Sequence, residues 1–145
     1  MKNKFGFILV KPQLGENIGA CARSMKNFGF SKLHIVSPKI NFPDHKAKAT
    51  SVGAFDIINK AKVYKDTKEA IGSFDTVISL SARRRDINKK HISLNDFIKL
   101  ILKKGNSNFG LMFGPEASGL SNEDLSFSNY VFQISTSKKF NSLHL

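Results

Sequence analysis

Three short stretches of this chain combine residue types that bind anions, bend sharply and hold a carboxylate in place. The first is Pro12-Gln13-Leu14-Gly15-Glu16-Asn17-Ile18-Gly19-Ala20-Cys21-Ala22-Arg23, running on to Asn27-Phe28-Gly29. Asn17 is a candidate N-cap, and a helix start favours anions because its first amide groups lack partners. Arg23 falls opposite the apolar stripe Ile18, Ala22, Met25 and Phe28. A guanidinium there suits a two-pronged grip on phosphate. A plain loop, a capped helix and a solvated arginine would read the same way. The second stretch is Phe113-Gly114-Pro115-Glu116-Ala117-Ser118-Gly119-Leu120. Two glycines and a proline in a short turn allow close backbone approach to a ligand, and equally make an ordinary turn. Glu116 puts a carboxylate at the carboxyl edge of a sheet, where parallel α/β proteins bind ligands. The third stretch, residues 134–145, reads alone as a polar tail.

Other chemistries find no support. There is no Walker loop, no zinc spacing, and no Gly-x-Gly-x-x-Gly after the first strand. The histidines His34, His45, His91 and His144 are scattered and read as surface or structural groups, so no metal is expected. Cys21 is the one cysteine, which rules out an internal disulfide. The formal charge of +12 attracts polyanions, and the basic residues run along the whole chain rather than in a tail. A Lys-rich surface is also background in a basic proteome. No stretch joins a long apolar face to a basic one, and no apolar run is long enough to cross a bilayer. The first residues lack the apolar core of a signal peptide, so the expected location is the cytoplasm, away from membranes.

The positioning elements follow from length and pattern. At 145 residues, 41% hydrophobic and 23% charged, the chain is expected to form one globular domain over 1–145. Short apolar runs alternate with helix-period segments, which predicts an α/β fold: a mostly parallel sheet with helices on both faces. Phe5–Val10, Leu33–Val36, Asp75–Leu80, Phe109–Phe113 and Tyr130–Ile134 read as strands, with a short one at Ala61–Tyr64. Residues 39–60 mix loop and helix. A helix follows Asn17 and stops at Gly29. Another opens on a Ser93/Asp96 capping box, carries Leu94, Phe97, Ile98, Ile101 and Leu102, and stops at Gly105. The segment after the last strand is short, so one face of the sheet is expected to lack its cover.

Taken together and in order, the three stretches resemble the signature motifs of the SpoU branch of the SPOUT methyltransferases, the trefoil-knotted RNA methylating enzymes. Asn17, Gly19 and Arg23 match Asn-x-Gly-x-x-x-Arg; Phe113, Gly114, Glu116, Gly119 and Leu120 match Phe-Gly-x-Glu-x-x-Gly-Leu. Ser142 and Leu143 fit the Ser-Leu-Asn of the third motif, but His144 stands in the place of Asn and Ser135 where Pro is common. The final helix of the pattern is expected to be absent. Val10–Asn17 and Ser79-Leu80-Ser81-Ala82-Arg83 are similar to the subgroup of tRNA ribose methyltransferases acting on the anticodon loop near position thirty-two.

The resemblance implies a SPOUT trefoil knot, incomplete at its C-terminal end, a homodimer, and methylation of a ribose 2′-hydroxyl of RNA, above all tRNA, with S-adenosylmethionine as donor. It implies Arg23, Asn17 and Glu116 as catalytic residues. Leu80, Ser81, Gly114, Ile134, Ser142 and Leu143 would form the cofactor pocket. Arg83, Arg84, Arg85, Lys89 and Lys90, with Arg23, would contact RNA. Two other readings stay open: a catalytically silent RNA-binding protein, and an interaction partner of a full-length relative.

Overall fold

Continuous apolar runs of five or six residues become the inner strands, because a parallel sheet with helices on both faces buries each strand on both sides. A computed structural model describes residues 4–82 and 88–134. Within them the elements run β1 Phe5–Val10, α1 Gly15–Asn27, β2 Lys32–Val36, α2 His45–Thr50, α3 Phe55–Lys60, β3 Lys62–Tyr64 and α4 Thr67–Ala70. They continue with β4 Thr76–Ser81, β5 Lys90–Ile92, α5 Leu94–Lys103, β6 Phe109–Phe113, α6 Asn122–Ser126 and β7 Tyr130–Gln133. The strands form one sheet in the order β3-β2-β1-β6-β4-β7-β5, and each pairing in it is parallel.

Alternation along each strand sorts the core onto two faces. On one, Ile8, Val10, Val36, Met112 and Val131 pack with Ala70 of α4 and Leu125 of α6. On the other, Leu33 and Ile35 meet Ile18, Ala22 and Met25 of α1 and Ile57 and Ile58 of α3. Farther along that second face, Ile78 and Phe109 pack with Phe97, Leu100 and Ile101 of α5. Helices therefore cover both faces, as the sequence pattern predicts. Between α1 and the sheet an apolar groove of about 510 Å³ stays open, lined by Phe7, Leu9, Phe113, Met25, Phe28 and Phe30.

Glycine spacing sets how α1 sits. Gly15 and Gly19 lie one turn apart on its buried side. A Cβ on Gly19 would collide with Thr50 Oγ1 and come within 2.6 Å of the Ala47 carbonyl oxygen of α2. One on Gly15 would collide with the Asp44 carboxylate. Two missing side chains thus let α2 lie close against α1. Gly29, at φ +82°, takes the left-handed turn that ends α1.

Several local expectations change. Asn17 is not the N-cap: α1 begins at Gly15, Leu14 holds the cap position, and Leu14 contributes no side-chain cap. Phe28 leaves the buried stripe and is 64% exposed, because α1 ends at Asn27 and the chain turns away. The capping box of α5 forms as expected, with Ser93 Oγ accepting from Asp96 N and the Asp96 carboxylate from Ser93 N. Its apolar residues divide: Phe97 and Ile101 pack on the sheet, whereas Leu94, Ile98 and Leu102 are 60%, 47% and 68% exposed. The last strand stops at Gln133 rather than Ile134. β5, α4 and α6 are additions the sequence pattern did not reveal.

Candidate functional site

Parallel strands end on a common edge, so loops that are far apart in sequence emerge side by side. β1 and β6 are neighbours, with Leu9 in register with Phe113. The loop after β1 carries Gln13, Leu14 and Asn17; the loop after β6 carries Glu116. The Glu116 carboxylate accepts hydrogen bonds from Gln13 N (3.1 Å), Leu14 N (3.0 Å) and the Asn17 side-chain amide (3.0 Å). Gln13 answers in the opposite direction, its Oε1 accepting from Ala117 N at 3.2 Å.

The lock ties the segment leading into α1, and the Asn17 side chain in its first turn, to the loop after β6. The start of α1 has no side-chain cap, and a carboxylate from 99 positions away lies beside it, where the helix dipole favours a negative charge. Burial opposes the Glu116 charge, but the Asn17 amide and the Gln13 and Leu14 N–H groups outweigh it and hold the carboxyl below its ordinary value. Glu116 is ionised at neutral pH.

Beside the lock lies a cleft of about 610 Å³ lined by Leu80, Ser81, Gly114, Glu116, Leu120 and Ile134 among others. It opens at the carboxyl ends of β4, β6 and β7. Four of the expected cofactor residues, Leu80, Ser81, Gly114 and Ile134, thus meet in one cavity. Gly114 has a packing reason of its own: a Cβ there would collide with Leu120 N and Gly119 C. Gly119, at φ +70°, completes the bend. Ser142 and Leu143 lie outside the described residues, as does the segment whose threading would define a knot.

Arg23 is exposed, six positions beyond Asn17 on α1, or roughly 9 Å along the helix axis. It shares a surface depression of about 740 Å³ with Asn17, Ser24, Asn27, Phe28 and Thr50. Through Asn17 that depression adjoins the Glu116 lock. Arg83, Arg84 and Arg85 fall outside the described residues. Lys89 precedes β5 and Lys90 begins it, in register with Tyr130 at the start of β7. Both sit at the amino end of the sheet, on the edge opposite the cleft, because a parallel connection must return the chain there. Gln13 has no role legible in the sequence. Only the tertiary partner shows one, since nothing adjacent in the chain bonds its side chain.

The remaining reactive groups have structural explanations. Burial pushes the Cys21 thiol up to about 11, which leaves it protonated and unreactive at neutral pH. His34 is buried, its Nδ1 3.0 Å from Ala70 O, between Tyr64 and Phe74; desolvation lowers its pKa. Among the described residues no cluster of His, Cys, Asp and Glu could hold a metal ion, and no helix is long and apolar enough to cross a membrane.

Residues 4–145 match the model of the SpoU rRNA Methylase family. The chain belongs to that family. It is 37% identical over 142 residues to the tRNA (cytidine-2′-O-)-methyltransferase TrmJ of Methanocaldococcus jannaschii, covering 95% of this chain and 60% of that protein. It is 34% identical over 147 residues to the tRNA (cytidine/uridine/adenosine-2′-O-)-methyltransferase TrmJ of Pseudomonas aeruginosa, covering 100% of this chain and 57% of that one. Among solved structures, TrmJ from Z. mobilis ZM4 superposes with a TM-score of 0.85 at 31% identity, over 93% of this chain and 60% of its own. The SpoU methyltransferase AviRb from Streptomyces viridochromogenes, solved in complex with AdoMet, shares the fold at a TM-score of 0.71 and 17% identity, over 94% and 51% of the two chains. The architecture is thus that of the SPOUT methyltransferases. The chain spans about 60% of the length of the TrmJ relatives it matches.

Proposed function

We propose that residues 1–145 act as one methyltransferase domain that transfers a methyl group from S-adenosylmethionine to a ribose 2′-hydroxyl of tRNA in the cytoplasm. The observation that carries this reading is the Glu116 lock, which joins the loops after β1 and β6 beside a cleft lined by Leu80, Ser81, Gly114 and Ile134. The names of the TrmJ relatives supply the substrate class, and AviRb supplies a family precedent for the cofactor.

The cleft fits such a cofactor. Its volume lies within the range of about 300–1,000 Å³ usual for small-molecule sites. Its wall is built of strand ends and a glycine bend, which bring backbone donors and acceptors close to a ligand. Leu80, Ser81, Gly114 and Ile134 would hold the cofactor, joined by Ser142 and Leu143. Bound there, S-adenosylmethionine supplies an activated methyl group.

The rest is positioning by this chain. Arg23 grips the phosphate next to the target ribose with two N–H donors and polarises the 2′-hydroxyl. A guanidinium is a poor general base, so the proton passes to that phosphate or to water. Asn17 and Glu116 fix the start of α1 and so the place of Arg23. Holding hydroxyl and methyl carbon in line supplies a large share of the barrier reduction. A DNA strand offers no 2′-hydroxyl and is not a substrate. Arg83, Arg84 and Arg85 add phosphate contacts, whereas Lys89 and Lys90, on the opposite edge of the sheet, are left out of the RNA path. The open apolar groove beside α1 and the exposed Leu94, Ile98 and Leu102 favour self-association, in keeping with a homodimer.

Isothermal titration with S-adenosylmethionine, followed by transfer of labelled methyl to tRNA and mapping of alkali-resistant linkages, tests the reading. Saturable binding and a 2′-O-methylated product are expected. RNA binding without cofactor binding would overturn it in favour of a silent RNA-binding protein.

A further inference from the structure

The carboxyl edge of the sheet does not end at the cleft. Val10, Val36 and Tyr64 stand in register at the ends of β1, β2 and β3, so Lys11, Ser37 and Lys65 are the first residues beyond three adjacent strands. Lys11, Lys65 and Lys68 line one cleft there, of about 340 Å³. Lys39 joins the same rim, its N–H donating to Pro12 O at 2.9 Å. All four lysines are exposed. At roughly 4.8 Å between neighbouring strands, Lys65 stands about 14 Å along the edge from Gly114.

Two features make this rim more than scattered lysines. Lys11 and Ser37 are the non-glycine residues with left-handed backbone among those described, at φ +49° and +45°. Each is pinned by a backbone bond to the next strand, Lys11 N to Val36 O at 2.7 Å and Ser37 N to Tyr64 O at 2.8 Å. Such strained conformations persist where the surroundings fix them, and they cluster at binding sites. The carboxylates of the cleft, moreover, are turned to local work. Asp66 accepts from Glu69 N at the start of α4. Asp124 accepts from Thr67 Oγ1 (2.8 Å) and Ser121 Oγ (2.9 Å) at the start of α6. Glu123 lies in the first turn of α6, where a negative charge is favoured.

We propose that Lys11, Lys39, Lys65 and Lys68 form a second phosphate-binding rim, contacting the RNA backbone a few nucleotides to one side of the target ribose. The proposal rests on the RNA-methylating reading above. It extends the RNA path along the carboxyl edge, from the end of β6 toward the end of β3.

The test is the salt dependence of tRNA binding to the full chain. Neutralising three single-strand phosphate contacts changes the slope of log K against log salt by about two. The triple variant Lys11→Gln, Lys65→Gln, Lys68→Gln is therefore expected to bind with a slope about two units shallower than wild type. The wild-type advantage then shrinks by roughly an order of magnitude between 50 and 200 mM salt. A matched triple on the opposite edge, Lys4→Gln, Lys60→Gln, Lys62→Gln, removes equal charge and is expected to leave the slope nearly unchanged. Equal effects from the two triples, or an unchanged slope in the first, would overturn the rim. The double Lys65→Gln, Lys68→Gln, which leaves the strained Lys11 intact, is expected to make the slope about 1.4 units shallower and covers the case of a misfolded triple. Failure of the parent reading shows separately, as wild-type protein that does not bind tRNA.

Discussion

Replacing Glu116 by Gln probes the lock directly. The amide keeps the size of the carboxylate but loses the charge, and it turns an –NH2 group toward donors that need an acceptor. Wild-type Glu116 accepts from Gln13 N, Leu14 N and the Asn17 amide, each within 3.0–3.1 Å for its shorter contact. A hydrogen bond to a charged group contributes about 1.5–3 kcal/mol when shielded from water. Glu116 is exposed, so solvent screening reduces the sum, and a loss of about 1–2 kcal/mol is expected for the whole set. The sign with pH follows from the depressed carboxyl. Its folded value lies below the ordinary 4.5, so the stabilisation is fully present above that value and is lost as pH falls through the folded one. Urea unfolding of wild type and Glu116→Gln should therefore differ by a constant amount from pH 7 to about pH 5.5, with the gap closing on further acidification. Cofactor affinity should fall in the variant at neutral pH, since the loop after β6 forms one wall of the cleft. A gap that stayed constant down to pH 3, or no gap at pH 7, would refute the view that an ionised Glu116 ties the two loops together.

Gly19→Ala is expected to cost about 1–3 kcal/mol in urea unfolding, because the new methyl meets the Ala47 carbonyl as well as the movable Thr50 hydroxyl. Arg23→Lys keeps the charge but not the fork, so methyl transfer should fall at least tenfold, about 1.4 kcal/mol, with S-adenosylmethionine affinity unchanged; near-wild-type turnover would remove the two-pronged contact. Gly114→Ala must push Gly119 and Leu120, across the bend of the same loop, away from position 114, and both cofactor binding and melting temperature should drop. Ser93→Ala breaks the capping box of α5 and is expected to lower stability by about 1 kcal/mol while leaving cofactor binding intact.

The inner strands were readable because burial on both faces demands unbroken apolar runs, as in Phe5–Val10 and Phe109–Phe113. β5 was not, since Lys90-His91-Ile92 is a three-residue edge strand with one buried apolar side chain. α4 and α6 have four and five residues, too few to show a helical period. Their joining bond, Thr67 to Asp124, spans 57 positions. In the site, sequence located Asn17 and Glu116 but misassigned how α1 is capped. Capping rules look to the adjacent side chain, whereas Asn17 lies inside the first turn and its amide bonds the far loop. Lys89 and Lys90 read as continuous with Arg83 for a similar reason. Neighbours in sequence are parted when a crossover returns the chain to the opposite edge.

The motif glycines and the motif polar residues carry different weight as evidence. Gly19 and Gly114 are each required by packing alone, one against α2 and one against its own loop. A protein with this fold and no catalytic role would need them equally. Asn17, Arg23 and Glu116 have no such reason: all three are exposed, and none fills the core. Glu116 ties down the approach to α1, not its first-turn amides, which an Asp or Ser at the Leu14 position would cap locally and without a partner from another loop. A tie from 99 positions away makes the start of α1 depend on the position of the loop beside the cleft. Arg23, on that same helix, is then placed only when the cleft wall is placed. Stability alone does not call for that coupling, whereas the proposed site, which would align a phosphate grip with a bound methyl donor, does.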